Sequence, residues 1–247
     1  MICVFDILYL IFDFSEALML TKRKKKVLKR IIEEYIRKAK PVSSALIAKR
    51  GFPKLSPATI RNEMYDLTKQ GLLCQPHTSA GRIPTLQGFK FFLDNFLEEK
   101  SVSFSEKNVF LEIKNRYQEP RKKIKELAKE LAELSQEAVV VAFSKDDFYY
   151  TGLSHLFHQP EFQNISLIYS LSEVIDHLDE TMRNIFDKIE KTEILIGEEN
   201  PFGNQCTTII DKIELENQKI LLSLLGPLRM DYNKNLTLIK AIKKIIG

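Results

Sequence analysis

A short stretch near position 56 carries the side-chain types that read a DNA duplex. Ser56 can cap a helix, and Pro57 suits its first position, where the missing N–H leaves no partner unsatisfied. Guanidinium and amide groups form hydrogen bonds with base edges in a major groove, and a helix N-terminus attracts phosphate. Opposite its apolar stripe, this helix would present Ala58, Asn62, Tyr65 and Lys69, with Thr59 and Arg61 on the two flanks.

A candidate β-hairpin follows that helix. Leu72–Gln75 and Ile83–Thr85 predict two short strands around a polar loop that contains glycine. Small residues let one backbone approach another closely, and an arginine there could reach a phosphate or a narrow minor groove. A solvent-exposed loop histidine is the alternative for His77. The candidate contacts of this wing are His77, Thr78, Ser79, Gly81 and Arg82.

Three residues in the second half have the spacing of metal ligands. His155, His158 and Glu161 lie three apart and could bind a metal from one helix. Pro160 disfavours the helix that would align Glu161 with the histidines. The pattern therefore predicts no metal site.

Enzyme chemistry finds little support elsewhere in the sequence. There is no GxSxG, no P-loop and no GxGxxG. Arg229 and Asp231 look catalytic only by residue type, since a turn at Gly226-Pro227 and a helix cap at Asp231 explain them. We therefore predict no catalytic residue and no cofactor, and do not expect an enzyme.

Charge is distributed unevenly along the 247 residues. Residues 21–92 hold 17 Lys or Arg against 4 Asp or Glu, a surplus of 13, although the whole chain has a net charge of only +4. Such a segment is typical of a domain that meets a polyanion. The three cysteines lie far apart without a CxxC pair, which favours a reducing compartment, and we expect the cytosol.

Three helices are predicted in the basic segment. Thr21 can cap the first, which Pro41 must end, and Ser43 or Ser44 can start a second that ends at Gly51. The third begins at Ser56-Pro57 and buries a stripe formed by Ile60, Met64 and Leu67.

The apolar start of the chain, residues 1–20, contains Asp6, Asp13 and Glu16 and no early base. It therefore matches neither a secretory signal nor a membrane span, and we expect no membrane partner. Two interpretations are open. Residues 1–20 form an extra amphipathic helix, or the translation start was assigned too early and the protein begins at Met19.

Residues 101–137 predict a connecting helix with a single apolar register. Its positions are Phe110, Ile113, Tyr117, Ile124, Leu127, Leu131 and Leu134. Pro120 lies on that register and should break or kink the helix. The face could form a dimer seam or pack on the protein's own sheet, and the interruption favours the second.

The remaining residues predict strands mixed with helices. Strand-like runs are Ala138–Phe143, Glu193–Ile196, Thr207–Ile213 and Lys219–Leu225. Helical spacing marks a long helix from Ile168 to Ile185 and a terminal one from Leu236 to Ile246. An α+β second domain is therefore expected.

Several ordered blocks resemble one family, the heat-inducible transcription repressor HrcA. In the first half they are Leu55–Asn62, Gly71–Leu73, Gln75–Thr85 and Gly88-Phe89, and in the second Gln159–Phe162, Ile196–Glu199 and Gly226–Tyr232. The resemblance implies an N-terminal winged helix-turn-helix domain followed by a reduced GAF-like α/β sheet domain. It also implies a dimeric cytoplasmic repressor that binds an inverted-repeat operator upstream of chaperone genes and is kept active by the GroEL chaperonin.

Two features depart from the family pattern. The family's second helix usually opens Pro-Val-Gly-Ser-Arg, whereas Ala45 stands here at the basic position. The chain also passes from Phe143 almost directly to Gly152, so most of the family's inserted dimerisation domain is missing. These differences put the usual dimer interface and its regulation in question.

The domain organisation expected from these observations has four parts. They are an apolar extension at 1–20, a winged-helix DNA-binding domain at 21–100, a connecting helix at 101–137 and a truncated GAF-like domain at 138–247. We expect Arg61 and Asn62 to contact bases, while Ser56, Thr59 and the wing hold phosphates and the basic residues of helix one add attraction. A winged helix that docks an acidic protein partner is the alternative, and a metal hydrolase built on His155 and His158 is a third hypothesis.

Overall fold

A computed structural model describes residues 20–163, 172–216 and 218–246. The chain divides into two compact units between Leu97 and Glu98. The predicted extension at residues 1–20 lies outside the described residues except for Leu20. Within the described ranges, no helix has both the length and the apolar character needed to cross a membrane.

The first unit is a small helical domain with a two-stranded hairpin. Its elements are α1 (Lys22–Lys38), α2 (Ser44–Gly51), α3 (Pro57–Lys69), β1 (Leu73–Cys74), β2 (Ile83–Pro84) and α4 (Leu86–Phe96). Each helix starts at a hydroxyl cap that accepts a backbone N–H three residues later. The caps are Thr21, Ser43, Ser56 and Thr85, with donor–acceptor distances of 3.1–3.2 Å.

The apolar faces of these helices form the core of the first unit. Fully buried side chains include Val27, Leu28, Ile31, Ile32, Ile47, Ile60, Leu67, Phe89 and Phe92. The sequence had not predicted α4, which packs against α1 and β2. A Cβ at Gly88 would lie 2.2 Å from the Leu72 carbonyl oxygen, so this glycine lets α4 approach the hairpin.

The second unit combines helices with one antiparallel sheet. Its elements are α5 (Phe104–Arg116), α6 (Pro120–Ser135), β3 (Ala138–Ala142), β4 (Phe148–Thr151), α7 (Leu153–His158), a 3₁₀ turn (Pro160–Gln163), α8 (Leu178–Ile185), β5 (Glu193–Ile196), a second 3₁₀ turn (Gly197–Glu199), β6 (Cys206–Leu215), β7 (Gln218–Pro227) and α9 (Tyr232–Ile246). The strand order is β4-β3-β7-β6-β5, and every neighbouring pair is antiparallel.

Helices cover this sheet. One cluster joins Val140, Ile210 and Leu221 of the sheet to Leu156 of α7 and Met182 of α8. Helices α6 and α9 pack against β3 and β6. The predicted fold class is confirmed: an N-terminal winged helix is followed by a mixed helix and sheet domain of the GAF-like kind.

The residues predicted to form a single connecting helix at 101–137 form two helices of the second unit. These are α5 and α6, which pack against each other. Pro120 is the first residue of α6, and Glu119 caps that helix by accepting from the backbone N–H of Arg121 and Lys122. Proline therefore starts a new helix here instead of kinking an old one.

The predicted apolar register of this connection is used within the second unit. Phe110, Ile124, Leu127 and Leu131 are at most 2% exposed in the single chain. The other three positions, Ile113, Tyr117 and Leu134, are half-buried. For α6, which packs against β3 and β4, the structure favours packing on the protein's own sheet over a dimer seam, whereas α5 packs against α6 and α9.

The second unit differs from the predicted one in two further places. The helix expected from Ile168 to Ile185 is interrupted by a turn at His177, and its first part lies outside the described residues. Strand β4 was missed, because four residues beside two aspartates give a weak periodic signal. Residues 143–147 close the β3–β4 hairpin, with the N–H groups of Phe143 and Ser144 donating to the Asp147 carbonyl oxygen.

Candidate nucleic-acid interface

Helix α3 presents the side chains predicted to read bases. Ala58, Arg61, Asn62 and Tyr65 are exposed, and the Tyr65 ring is 52% exposed. The buried side of the helix holds Ile60, Met64 and Leu67, as predicted. Lys69 lies one turn beyond Tyr65, with its Nζ 4.8 Å from the ring centroid. The sequence placed Lys69 on this exposed face but not among the predicted contact residues, although its spacing of four residues from Tyr65 was a usable signal.

Ser56 and Thr59 form the polar start of α3. Ser56 Oγ accepts the Thr59 backbone N–H at 3.1 Å and lies 2.9 Å from Thr59 Oγ1. Ser56 is exposed and Thr59 is half-buried. The two hydroxyls therefore lie beside the positive end of the helix, where an anion is favoured.

Ion pairs within the first unit neutralise the four acids of residues 21–92. Each of the four acids in residues 21–92 lies within 4.0 Å of a base of the same unit: Glu33, Glu34, Glu63 and Asp66. The two acids of α3 pair with residues of α1. No acid therefore lies unmatched beside the exposed amide and guanidinium of α3, and the surplus of positive charge remains with the other basic side chains.

The loop of the wing is held by an amide that the sequence had not singled out. Gln75 Nε2 donates to the carbonyl oxygens of Thr78 and Ala80, each at 2.9 Å. His77, Thr78 and Ser79 are exposed at the tip, as expected for contact with a duplex. The position of Gln75 at the start of the loop is the sequence signal that could have indicated this role.

Gly81 and Arg82 occupy the inner side of the wing. Arg82 and Val42 exchange two backbone hydrogen bonds of 2.8 and 2.9 Å, which adds a bridge to the hairpin. A Cβ at Gly81 would lie 2.3 Å from the Val42 carbonyl oxygen. The close approach predicted at Gly81 therefore occurs within the domain itself.

The Arg82 guanidinium also contacts the domain. Its Nε donates to Thr68 Oγ1 at 3.1 Å, and burial lowers its pKa, although the group remains a cation. Arg82 thus ties the base of the wing to the last turns of α3. Because Nε is occupied by Thr68, the phosphate contact predicted for Arg82 would have to be made by its two Nη atoms.

The candidate metal residues have separate partners. His155 Nε2 lies 3.3 Å from Glu133 Oε1, and His158 Nδ1 lies 2.6 Å from the Ser154 carbonyl oxygen. Glu161 instead binds the Arg229 guanidinium, with its two oxygens 2.5 Å from Nε and 3.1 Å from Nη2. Helix α7 ends at His158, so the three side chains share no helical face.

Arg229 and Asp231 have structural roles in the second unit. Arg229 Nη2 also donates to Gln159 Oε1 at 2.6 Å, and Asp231 Oδ1 accepts the Lys234 backbone N–H at 3.1 Å at the start of α9. Nearby Glu137 is 4% exposed, and burial raises the pKa of its carboxyl well above the usual value. Burial also raises the pKa of the Cys206 thiol to about 12, which leaves it unreactive.

Capped helices, a hairpin wing and a polar third helix whose two acids are paired with α1 define the first unit as a winged-helix domain. The family model described as "Winged helix-turn-helix transcription repressor, HrcA DNA-binding" matches residues 19–95. The model described as "HrcA protein C terminal domain" matches residues 86–236. The chain belongs to the HrcA family, which is a family of transcription repressors and not of enzymes.

Curated relatives match about a third of the chain. A heat-inducible transcription repressor HrcA from Carboxydothermus hydrogenoformans is 51% identical over 85 residues, which are 34% of this chain and 25% of that protein. Another, from Natranaerobius thermophilus, is 59% identical over 75 residues, 30% of this chain and 22% of that protein. The matched stretch thus spans about a quarter of the length of these relatives.

A solved structure shares the fold over most of the chain. It is described as the crystal structure of a hypothetical protein and superposes with a TM-score of 0.73 at 18% identity. The match covers 91% of this chain and 97% of the other. At this identity the similarity establishes the fold alone.

Proposed function

We propose that this protein is a sequence-specific, DNA-binding transcriptional repressor of heat-shock genes. Helix α3 enters a major groove, and Arg61 and Asn62 contact base edges there. Tyr65 and Ala58 lie on the same exposed face and add contacts to bases and sugars. The observation that carries the proposal is the exposure of Arg61 and Asn62 on a helix whose acids are both paired elsewhere.

Phosphate contacts would position the domain on the duplex. Ser56 and Thr59 lie at the start of α3, where the helix dipole favours an anion. At the wing tip, His77, Thr78 and Ser79 are exposed and available for phosphate contacts. Gly81 supports this wing through its packing, and Arg82 adds positive charge at its base. These contacts fix the register of α3 but carry no sequence information themselves.

Two copies of the chain would read an inverted repeat, because symmetric half-sites match a two-fold protein. The HrcA family membership supports an operator upstream of chaperone genes, control by the GroEL chaperonin and a cytoplasmic location. The buried apolar positions of α5 and α6 pack within their own unit, so we do not assign the proposed dimer contact to these positions.

A gel-shift titration tests the proposal. The full chain is titrated against a duplex with the inverted repeat found upstream of chaperone genes in its own genome, and against a scrambled duplex of equal composition. We expect the repeat to bind at least a hundredfold more tightly, and light scattering to show two subunits in the complex. Indifference to both duplexes, together with tight binding of an acidic protein, would contradict the proposal and favour a protein-interaction module.

A further inference from the structure

The two acids of α3 are held by the first turn of α1. Arg23 Nε donates to Glu63 Oε1 at 2.7 Å, and Arg23 Nη2 contacts the same oxygen. Lys24 Nζ lies 2.8 Å from Asp66 Oδ2. Neighbouring residues of α1 therefore meet two successive turns of the helix that is proposed to enter the groove.

These contacts lie on one flank of α3. With Ile60 at zero and about 100° per residue, Asn62 lies at about 200°, Asp66 at about 240° and Glu63 at about 300°. The exposed face around Asn62 thus passes directly into the flank that holds Arg23 and Lys24.

The opposite flank of α3 carries a cation from the wing. Thr68, at about 80° on the same scale, accepts the Nε of Arg82. A helix with side chains is about 10–12 Å wide, close to the width of about 12 Å of the major groove, so its flanks meet the two phosphate backbones that border the groove. Cations anchored on both flanks therefore suit those two backbones.

Arg23 is both fixed and accessible. The Glu63 side chain that holds it is only 6% exposed, whereas the Arg23 side chain is 57% exposed. Nε and Nη2 of the guanidinium contact a buried carboxylate, while more than half of the side chain is open to solvent. Such an arginine is already oriented for an anion, so binding loses less side-chain entropy.

The start of α1 would be unfavourable for stability alone. Residues 22–26 are five consecutive bases, and the first turn contains no acid. Bases at a helix N-terminus oppose the helix dipole, which favours anions there. A bound phosphate would satisfy both these side chains and the positive end of α1.

We infer that Arg23 and Lys24 bind phosphates of the DNA strand that borders α3 on the α1 side, with Glu63 and Asp66 as positioning residues. The inference rests on the proposed function, since it assumes that α3 enters a groove. It differs from general attraction by helix one, because it assigns a fixed contact to two residues of that helix.

The test is a titration of the full chain with a labelled mixed-sequence duplex at a series of salt concentrations. We expect Arg23→Ala to weaken binding by roughly three- to tenfold at low salt and to lower the slope of log K against log[salt] by about 0.9. Arg37→Ala is the matched control, because Arg37 is 54% exposed and contacts the buried Glu34 at the other end of α1. This control removes only general attraction by helix one, so it should lose little affinity and keep the salt slope of the unmodified chain.

A double variant separates phosphate binding from simple neutralisation of Glu63. The double variant combines Arg23→Ala with Glu63→Gln and therefore leaves no unpaired buried carboxylate. We expect it to fold even if Arg23→Ala alone destabilises the first unit. If Arg23 binds phosphate, the double variant stays weak. Normal binding by the double variant, normal binding by Arg23→Ala, or an equal loss in Arg37→Ala would each overturn the inference.

The outcomes for the two proposals are distinguishable. Failure of the unmodified chain to bind any duplex would overturn the proposed function and this inference with it. Retained discrimination between operator and scrambled duplex, combined with normal binding by Arg23→Ala, would overturn the inference alone.

Discussion

Replacement of Gly81 by alanine is expected to destabilise the first unit. The added Cβ would lie 2.3 Å from the Val42 carbonyl oxygen, 2.5 Å from its carbonyl carbon and 2.8 Å from its nitrogen. All three atoms belong to the backbone, so a change of rotamer cannot relieve the overlap. The bridge between Val42 and Arg82, with hydrogen bonds of 2.8 and 2.9 Å, must open or shift.

The magnitude follows from that bridge. Each of the two hydrogen bonds contributes about 0.5–1.5 kcal/mol net, and forcing extra volume into a packed site costs about 1–3 kcal/mol. We therefore expect a loss of roughly 2–6 kcal/mol in the free energy of unfolding. This is a large part of the stability of a small domain.

Thermal unfolding of the full chain by circular dichroism measures the effect, with Gly71→Ala as the control. Gly71 has a φ of +73° and no atom within 4 Å of an added Cβ, so alanine there introduces only backbone strain of about 1–2 kcal/mol. Hydrogen exchange of the Val42 and Arg82 amides reports on the bridge directly.

The reasoning is refuted if Gly81→Ala unfolds no earlier than Gly71→Ala while both bridge amides stay protected. A loss of DNA affinity with unchanged stability would instead assign Gly81 to contact with the DNA backbone, as the sequence alone suggested.

Three more predictions concern single side chains. Arg61→Ala should weaken binding to the operator by roughly 1–3 kcal/mol and leave binding to scrambled DNA almost unchanged, and an equal loss on both duplexes in a gel shift would reduce Arg61 to a phosphate contact. Ser56→Ala removes the 3.1 Å cap of α3 and should lower the free energy of unfolding by about 1 kcal/mol in urea, whereas Ser56→Asp should retain it. Glu137, whose buried carboxyl has a raised pKa, stays protonated in the folded chain after it ionises in the unfolded chain, so its contribution is complete below about pH 4.5 and is lost as the pH rises through the folded-state pKa. Glu137→Gln should therefore flatten the fall of the unfolding midpoint with rising pH, and a parallel pH profile for the two proteins would contradict this assignment.

Local signals determined the first three helices of the first unit, α1 to α3. Thr21 and Ser56 cap α1 and α3 as the sequence predicted, and α2 is capped by Ser43, one of its two predicted candidates, because a capping side chain acts on an amide only three residues away. The exposed face of α3 followed from helical periodicity for the same reason. Arg61 and Asn62 are therefore placed by short-range rules.

Short-range rules fail where the partner is distant in sequence. Arg23 and Glu63 are 40 residues apart, and Arg82 meets Thr68 and Val42 only once the wing has folded back. From the sequence, these arginines appear as a uniform basic surplus. The structure divides them into residues that neutralise or anchor α3 and residues that remain open to a ligand.

The sequence by itself determined the starts of α1 to α3, the side chains that α3 exposes, the basic character of residues 21–92 and the family resemblance. The tertiary structure decided that α5 and α6 pack inward, that Gly81 serves the fold, and that the acids of α3 are paired. The physical reason is the range of the interactions. Caps and helical faces are set within a few residues, whereas ion pairs and close backbone contacts depend on which distant segments the buried core brings together.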